Sequence, residues 1–139
     1  MTWQHSAALA GLVCKSWVPT SRFLLFSGFH LVKWYIAREL ELICAEDSTI
    51  PPYVLSLEIP GGFVPYVNET IHRLPLLSNL KKIRLLNVDF AILTSVVKER
   101  LTTALLQNIT TLDLDYCEVR NYFLLYLHSF CLICDIGTV

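Results

Sequence analysis

Five cysteines are among the residues whose chemistry could define a site in this 139-residue sequence. Cys131-x-x-Cys134, with His128 three residues upstream, has the spacing of a metal or redox pair. A structural zinc site needs four ligands, and the sequence offers no second pair of this kind. The segment is also apolar and lacks the strand-to-helix context of a redox motif. The missing second pair and the apolar context therefore favour buried thiols, and we expect neither a metal nor a cofactor.

Two further sets of residues could be interpreted as catalytic groups. Cys14 and Cys117 could act as nucleophiles, which would require a histidine within hydrogen-bond reach in a pocket, and no histidine has a spacing that suggests one. Asp113 and Asp115 share one face of a strand because they are two positions apart. No third group that would make them an acid and base pair is visible. The sequence therefore favours a protein that is not an enzyme.

The elements that carry these residues follow from an alternating apolar motif that recurs three times. The three copies are Leu55-Ser56-Leu57, Ile83-Arg84-Leu85 and Leu112-Asp113-Leu114. Leu57 and Leu85 are 28 positions apart, and Leu85 and Leu114 are 29 apart. This period is typical of a leucine-rich repeat, and residues 80–90 and 109–119 both carry apolar residues at the leucine positions of L-x-x-L-x-L-x-x-(N/C)-x-L. Cys117 occupies the Asn/Cys position of the second copy, which favours a packing role for its thiol.

Helical periodicity separates the strands. Apolar side chains at helical spacing predict one helix over residues 91–107, another over 34–45, a shorter one over 69–74 and a last one over 118–130. Phe29-His30-Leu31 alternates as a strand would and could open the sheet. The predicted fold class is α/β, a short leucine-rich-repeat solenoid of three to four parallel strands backed by helices. Two further helices precede it.

Those two N-terminal helices meet at a proline. Leu9, Leu12, Val13 and Trp17 have the i, i+3, i+4, i+8 spacing of one helical face. Pro19 disfavours the helical region for the residue before it and suits the first turn of the next helix. That second helix presents a short apolar face formed by Phe23, Leu24 and Phe26.

Residues 12–26, which begin Leu-Val-Cys-Lys-Ser-Trp and end Leu-Leu-Phe, resemble the second half of an F-box. An F-box followed by leucine-rich repeats is typical of fungal F-box proteins, and the resemblance covers residues 1 to about 135. It implies two units, a partial F-box (helices two and three) at 1–28 and a leucine-rich-repeat region at 29–139. It also implies a substrate receptor of an SCF-type (cullin-RING) ubiquitin ligase that performs no chemistry itself. By resemblance, the residues that bind the adaptor subunit are Leu9, Leu12, Val13, Cys14, Trp17, Phe23 and Phe26.

The sequence departs from the F-box pattern at its start. A Leu-Pro and an Ile/Leu-rich first helix normally precede the helix that contains Trp17, and only residues 1–5 stand there. At the other end, Cys131-Leu132-Ile133-Cys134 offers apolar side chains where a repeat array needs a polar cap. We therefore expect a truncated F-box, an incomplete repeat region and a chain that is poorly soluble or oligomeric when expressed alone.

Composition and charge exclude several functions. The net charge of −1 and a pI near 6.4 provide no electrostatic basis for nucleic-acid binding. The longest apolar run near the C-terminus, residues 122–134, is shorter than the ~20 residues that a membrane-spanning helix needs. No positive residue precedes the apolar stretch at the N-terminus, as a signal peptide would require. We expect a cytoplasmic or nuclear protein that binds neither nucleic acid nor membrane.

The repeat frame predicts which side chains are free to bind a partner. It aligns Val54 with Lys82 and Thr111, Ser56 with Arg84 and Asp113, and Glu58 with Leu86 and Asp115. We expect Arg84 and Asp113 to form an exposed ion pair across neighbouring strands. The predicted surface for an unidentified substrate protein consists of Lys82, Arg84, Leu86, Asp113 and Asp115. The alternative function is a stand-alone leucine-rich-repeat binding module of the ribonuclease-inhibitor type, without a ligase partner.

Overall fold

Five strands form one parallel sheet in which the spatial order follows the order along the chain. They are β1 (Gly28–His30), β2 (Ser56–Pro60), β3 (Lys82–Leu86), β4 (Thr111–Asp115) and β5 (Cys134–Asp135). This computed structural model describes Gln4, Ser6, Leu9 and residues 14–62, 64–105, 108–118 and 134–135. The predicted α/β class with a parallel sheet is confirmed.

Helices precede the sheet and connect its strands. They are α1 (Val18–Phe26), α2 (Trp34–Ile43), α3 (Val64–Arg73) and α4 (Ser95–Arg100). Short 3-10 turns occupy Lys15–Trp17, Pro51–Tyr53 and Phe90–Ile92, and α4 continues as a π-helical segment over Leu101–Leu105. Parallel strands require long connections such as these helices, because a tight hairpin can join only antiparallel strands. Within the described part of the chain, no helix is long and apolar enough to cross a membrane.

The core lies between one face of the sheet and the helices. Side chains alternate along a strand, so every second residue of β2, β3 and β4 points the same way. These inward residues are almost fully buried: Leu57, Ile59, Ile83, Leu85, Leu112 and Leu114. They form one cluster with residues of the helices, among them Leu40, Ile71 and Val97. One face of the sheet therefore packs against the helices and forms part of the core.

The same backbone hydrogen bonds recur where each strand begins. A single carbonyl accepts from two consecutive amides at the start of the next strand, and this happens three times. Ser27 O accepts from Leu55 N and Ser56 N, Leu55 O accepts from Lys81 N and Lys82 N, and Lys81 O accepts from Thr110 N and Thr111 N. Successive strands thus enter the sheet by one repeated geometry.

The carboxyl ends of the strands are linked in a similar way. Gly61 N donates to Leu86 O at 2.7 Å, and Asn87 N donates to Asp115 O at 2.8 Å. A Cβ atom at Gly61 would lie 2.5 Å from Val88 Cγ2, so this close approach needs glycine. Asn87 and Tyr116 occupy the corresponding turns with φ of 52° and 54°, in the left-handed region.

The predicted alignment of β2 is wrong by two residues. Glu58, and not Ser56, is the Cα partner of Arg84, and Ser56 is the partner of Lys82. Val54, which the predicted frame left exposed, is fully buried. The alignment of β3 with β4 is confirmed, because Arg84 lies opposite Asp113. A shift of two residues keeps each side chain on its face, so the alternation of apolar residues could not reveal the error.

The helix predicted over 91–107 is interrupted. Leu93 has extended backbone angles, and α4 begins after Thr94, whose side chain caps it by accepting from Val97 N at 3.3 Å. Asp89 caps the preceding 3-10 turn by accepting from Ala91 N. Asp89 caps the turn just before the predicted helix and Thr94 caps a new helix within it, so the predicted helix is divided. The helices predicted over 34–45 and 69–74 correspond to α2 and to the second half of α3, and the helix over 118–130 lies outside the described residues.

Candidate functional site

The face of the sheet that points away from the core carries polar side chains. In β2, β3 and β4 the residues between the buried ones stay partly or fully exposed to solvent. Parallel sheets usually have both faces covered and then read as continuous apolar runs. The strands here alternate instead, and their polar residues remain accessible. This open face is the candidate site, and we call it the strand face.

One row of the sheet register has an ionisable residue at every strand from β1 to β5. The consecutive Cα partners from β1 to β5 are His30, Glu58, Arg84, Asp113 and Asp135. Neighbouring strands lie about 4.8 Å apart, so these five positions span about 19 Å. A row of this length can contact several residues of a partner at once.

Arg84 is the centre of the charge network on this face. Its Nε donates to Oδ2 of Asp115 at 2.8 Å, and its Nη1 donates to Oε2 of Glu58 at 3.2 Å. Nη2 also donates to Oδ2 of Asp115. The hydrogen bonds and charge of Asp115, followed by the charge of Glu58, raise the pKa of Arg84 above its ordinary value. The guanidinium therefore stays charged and is held between two neighbouring strands.

Two further pairs extend the network. Lys82 Nζ lies 2.7 Å from Oδ2 of Asp113, and His30 Nδ1 lies 3.2 Å from Oε1 of Glu58. The predicted pair between Arg84 and Asp113 is therefore wrong, although the two residues are directly opposite and share a face. Lys82 and Arg84 each reach a carboxylate two residues beyond the position directly opposite on β4, because long side chains can reach diagonal neighbours.

The residues of the predicted partner surface lie together on the strand face, but the prediction left out two ionisable residues of that face. Lys82, Arg84, Asp113 and Asp115 are joined by ion pairs, and Leu86 is a half-exposed neighbour opposite Asp115. The sequence reasoning missed Glu58 and His30. A signal for Glu58 existed, because Leu57-Glu58-Ile59 repeats the pattern of Ile83-Arg84-Leu85 at a spacing of 26 residues.

The residues predicted by resemblance to bind an adaptor fall into three groups. Leu9, Trp17 and Phe23 are exposed. Cys14 and Phe26 are half-buried, and the ring of Phe26 stacks on Phe29 of β1 with centroids 6.4 Å apart. Leu12 and Val13 lie outside the described residues. Phe26 thus faces the sheet, whereas Trp17 and Phe23 face solvent.

Helix α1 has an unusual distribution of polar and apolar side chains. Ser21 is its buried residue at 5% exposure, whereas Phe23 and Leu24 are 47% and 42% exposed. Trp17, just before the helix, is 55% exposed. A surface helix normally directs its apolar stripe to the core. The exposed apolar side chains of α1 therefore form a second candidate contact surface.

The described cysteines lie in different environments. A side-chain hydrogen bond with Ser16, at 2.9 Å between Sγ and Oγ, lowers the pKa of Cys14. Burial raises the pKa of Cys117, whose Sγ donates to Leu85 O at 3.3 Å. Burial also raises the pKa of Cys44. Cys117 therefore acts as a hydrogen-bonded packing residue between neighbouring strands.

Metal binding finds no support in the part of the chain that the structure describes, where no three His, Cys, Asp or Glu residues are grouped to hold an ion. His128 and Cys131 lie outside that part. Cys134 belongs to β5, opposite Leu112.

A groove of about 890 Å³ runs along the helix side of the molecule, between α3 and α4. Both arginines that line it are engaged with neighbouring groups of the helices and the segment after α3. Arg73 Nε donates to Glu69 Oε1 at 3.0 Å, Arg73 Nη1 lies 3.6 Å from Glu41 Oε2, and Arg100 Nη2 donates to Leu74 O. The groove is thus a junction between packed helices and a weaker candidate site than the strand face.

Comparison with known proteins identifies no relative. No protein-family model, no curated protein and no solved structure matches the sequence. The geometry of the chain itself must therefore support any functional assignment.

Proposed function

We propose that this chain is a non-catalytic protein-recognition module, built as a short leucine-rich-repeat solenoid, that serves as a substrate receptor of an SCF-type ubiquitin ligase in the cytoplasm or nucleus. The observation that carries the proposal is the strand face, an open and ordered row of ion-paired side chains on a parallel sheet. Such a face offers shape and charge to a partner without any grouping that would perform a reaction.

The repeated geometry supports the solenoid. Aligned residues Phe29, Leu57, Ile83 and Leu112 are 28, 26 and 29 positions apart, within the 20 to 29 residues of a leucine-rich repeat. Each strand adds beside the previous one, and the same hydrogen bonds recur at the starts of β2, β3 and β4. Stacking of this kind buries a continuous core, as repeat proteins require.

The exposed apolar side chains of α1 support adaptor binding. Trp17, Phe23 and Leu24 expose aromatic and aliphatic surface that the chain itself leaves half uncovered. Exposed large apolar side chains, aromatic ones above all, are a common feature of protein interfaces. Their position matches the second half of the F-box-like segment, so the SCF adaptor subunit is the proposed partner of α1.

A binding measurement with the purified adaptor subunit tests this half of the proposal. We expect isothermal titration calorimetry to detect a complex that is lost in a Trp17→Ala, Phe23→Ala double variant. Leu42→Ala, at an even more exposed apolar residue of α2, is the control and should bind normally. If the wild-type chain does not bind the adaptor, the stand-alone binding module of ribonuclease-inhibitor type becomes the better assignment.

Site-specific cross-linking tests the recognition half. A photo-reactive amino acid at Leu86 on the strand face should cross-link the captured protein in cells, whereas the same amino acid at Leu42 should not. A charge reversal of Arg84 together with Asp113 should weaken capture and leave the fold intact. Cross-links that form at Leu42 and persist in the reversed variant would move recognition to the helix side.

A further inference from the structure

Within the described part of the chain, the carboxylates of β4 use only one of their two oxygens. Both hydrogen bonds that Arg84 gives to Asp115 end on Oδ2, and Lys82 contacts Asp113 through Oδ2. No other described residue is seen to donate to Oδ1 of either aspartate. A carboxylate can accept several hydrogen bonds, so each Oδ1 retains capacity for a donor from a partner.

These two carboxylates are held in a fixed relation. Asp113 and Asp115 are two positions apart on one strand, which places their Cα atoms about 6.6 Å apart on the same face. The side chains are only 23% and 27% exposed, so solvent screens them less than it screens a fully exposed pair. Their ion pairs with β3 limit their rotation and orient them before a partner arrives.

The charge of the strand face is unbalanced toward the negative. Glu58, Asp113 and Asp115 provide three carboxylates, and Lys82 and Arg84 provide two cations. These five side chains together leave one negative charge. The complementary partner group at the β4 side of this face is a cation.

Tyr116 adds an aromatic ring at the same end of β4. It directly follows Asp115, adopts a left-handed backbone conformation and is 79% exposed. Exposure of this extent leaves the ring free to stack against a ligand. An aromatic face attracts a cation, and arginine most often because its planar guanidinium can also stack.

We infer that the strand face binds an arginine-bearing segment of its partner, with the guanidinium donating to Asp113 and Asp115 and lying against Tyr116. Arginine fits better than lysine because its five N–H donors form a planar fork that can reach two carboxylates, whereas an ammonium acts as a point charge. This inference rests on the proposed function and specifies the chemical class of the captured segment.

Fluorescence anisotropy with labelled 12-residue peptides tests the inference on the full chain. The probes are a Gly/Ser peptide with four arginines and the same peptide with lysine, citrulline or glutamate in place of arginine. The arginine peptide should bind more tightly than the lysine peptide, and the citrulline and glutamate peptides should not bind at near-physiological salt.

Variants locate the binding. A D113N, D115N double variant should weaken the arginine peptide about tenfold, because charge-assisted hydrogen bonds are lost. Tyr116→Ala should weaken it about threefold and spares the ion pairs if the double variant proves unfolded. Glu41→Gln with Glu69→Gln makes the same change in net charge on the helix side and should leave binding unchanged.

The outcomes separate this inference from the proposed function. Equal binding of the arginine and lysine peptides, or an equal loss in the helix-side control, would overturn arginine recognition. A glutamate peptide that binds through Lys82 and Arg84 would also overturn it and would leave capture by the strand face intact. Absence of cross-links from Leu86 would count against the proposed function itself.

Discussion

Helix α1 and the central strands of the sheet distribute their side chains in opposite ways. In β2 to β4 the alternate residues Leu57, Ile83 and Leu112 are at most 1% exposed, and the residues between them pair their charges at the surface. In α1 a serine is buried and two large apolar residues face solvent. The strands satisfy their own polar and apolar requirements, whereas α1 leaves apolar surface uncovered.

This contrast separates two kinds of surface by the force that would drive binding. Burial of the α1 side chains in a partner would release the ~25 cal/mol per Å² that accompanies apolar burial. The strand face offers fixed charges, which contribute to the choice of partner and its orientation more than to affinity. A receptor that must hold a constant subunit at one end and select a substrate along the other would use surfaces of these two kinds.

The largest expected effect concerns the buried residues of the sheet, compared with the exposed residues of α1. Leu85→Ala removes a side chain that is 1% exposed and should lower the free energy of unfolding by about 2 to 5 kcal/mol. Leu24→Ala in α1 makes the same chemical change at 42% exposure and should stay within about 0.5 kcal/mol. Urea denaturation followed by circular dichroism measures both. Equal losses would show that α1 is packed as firmly as the sheet.

A second test concerns the close approach of neighbouring strand ends. Gly61→Ala would place a Cβ atom 2.7 Å from Asn87 O and 2.8 Å from Val88 Cα, so the backbone must shift. We expect a loss of about 1 to 3 kcal/mol in the free energy of unfolding. Gly62→Ala is the control, because a Cβ there meets nothing within 4 Å. A neutral Gly61→Ala variant would mean that the strand ends are further apart than described.

The sequence was most informative where the repeat frame is complete. Ile83 and Leu112 each follow an apolar residue three positions earlier, Leu80 and Ile109, and the register between their strands was predicted correctly. In β2 a leucine at Leu55 offered a competing frame to Val54, and the prediction took the wrong one. Only tertiary packing distinguishes the two, because Val54 and Leu55 are both apolar and adjacent in the sequence.

Side-chain contacts were less predictable than the backbone. Register alone suggested that Arg84 pairs with the residue opposite it, yet the length of its side chain allows the diagonal contact with Asp115. The uncovered apolar residues of α1 were also not predictable, because periodicity shows which residues share a face and not whether that face is covered. The buried Ser21 became apparent only from the packed structure.

A smaller effect is expected at the turn that follows β4. Tyr116 has a φ of 54°, a conformation that costs a residue with a Cβ roughly 1 to 2 kcal/mol and costs glycine little. Tyr116→Gly should therefore be more stable than Tyr116→Ala by about 1 kcal/mol, with the loss of the exposed ring common to both. Thermal unfolding of the two variants gives the comparison. If Tyr116→Ala is the more stable of the two, the turn is not left-handed.

The smallest expected effect distinguishes stability from recognition on the strand face. Lys82→Met removes the ion pair with Asp113, whose partners are 47% and 23% exposed, and should change the free energy of unfolding by at most about 1 kcal/mol. Exposed pairs contribute little because solvent and salt screen them and because two long side chains lose freedom. Urea denaturation at low and high salt measures the effect, and Lys98→Met on α4 controls for the loss of a lysine. A loss in the free energy of unfolding as large as that of Leu85→Ala would show that this ion pair is needed for folding. The charged residues of the strand face would then serve stability and not partner recognition.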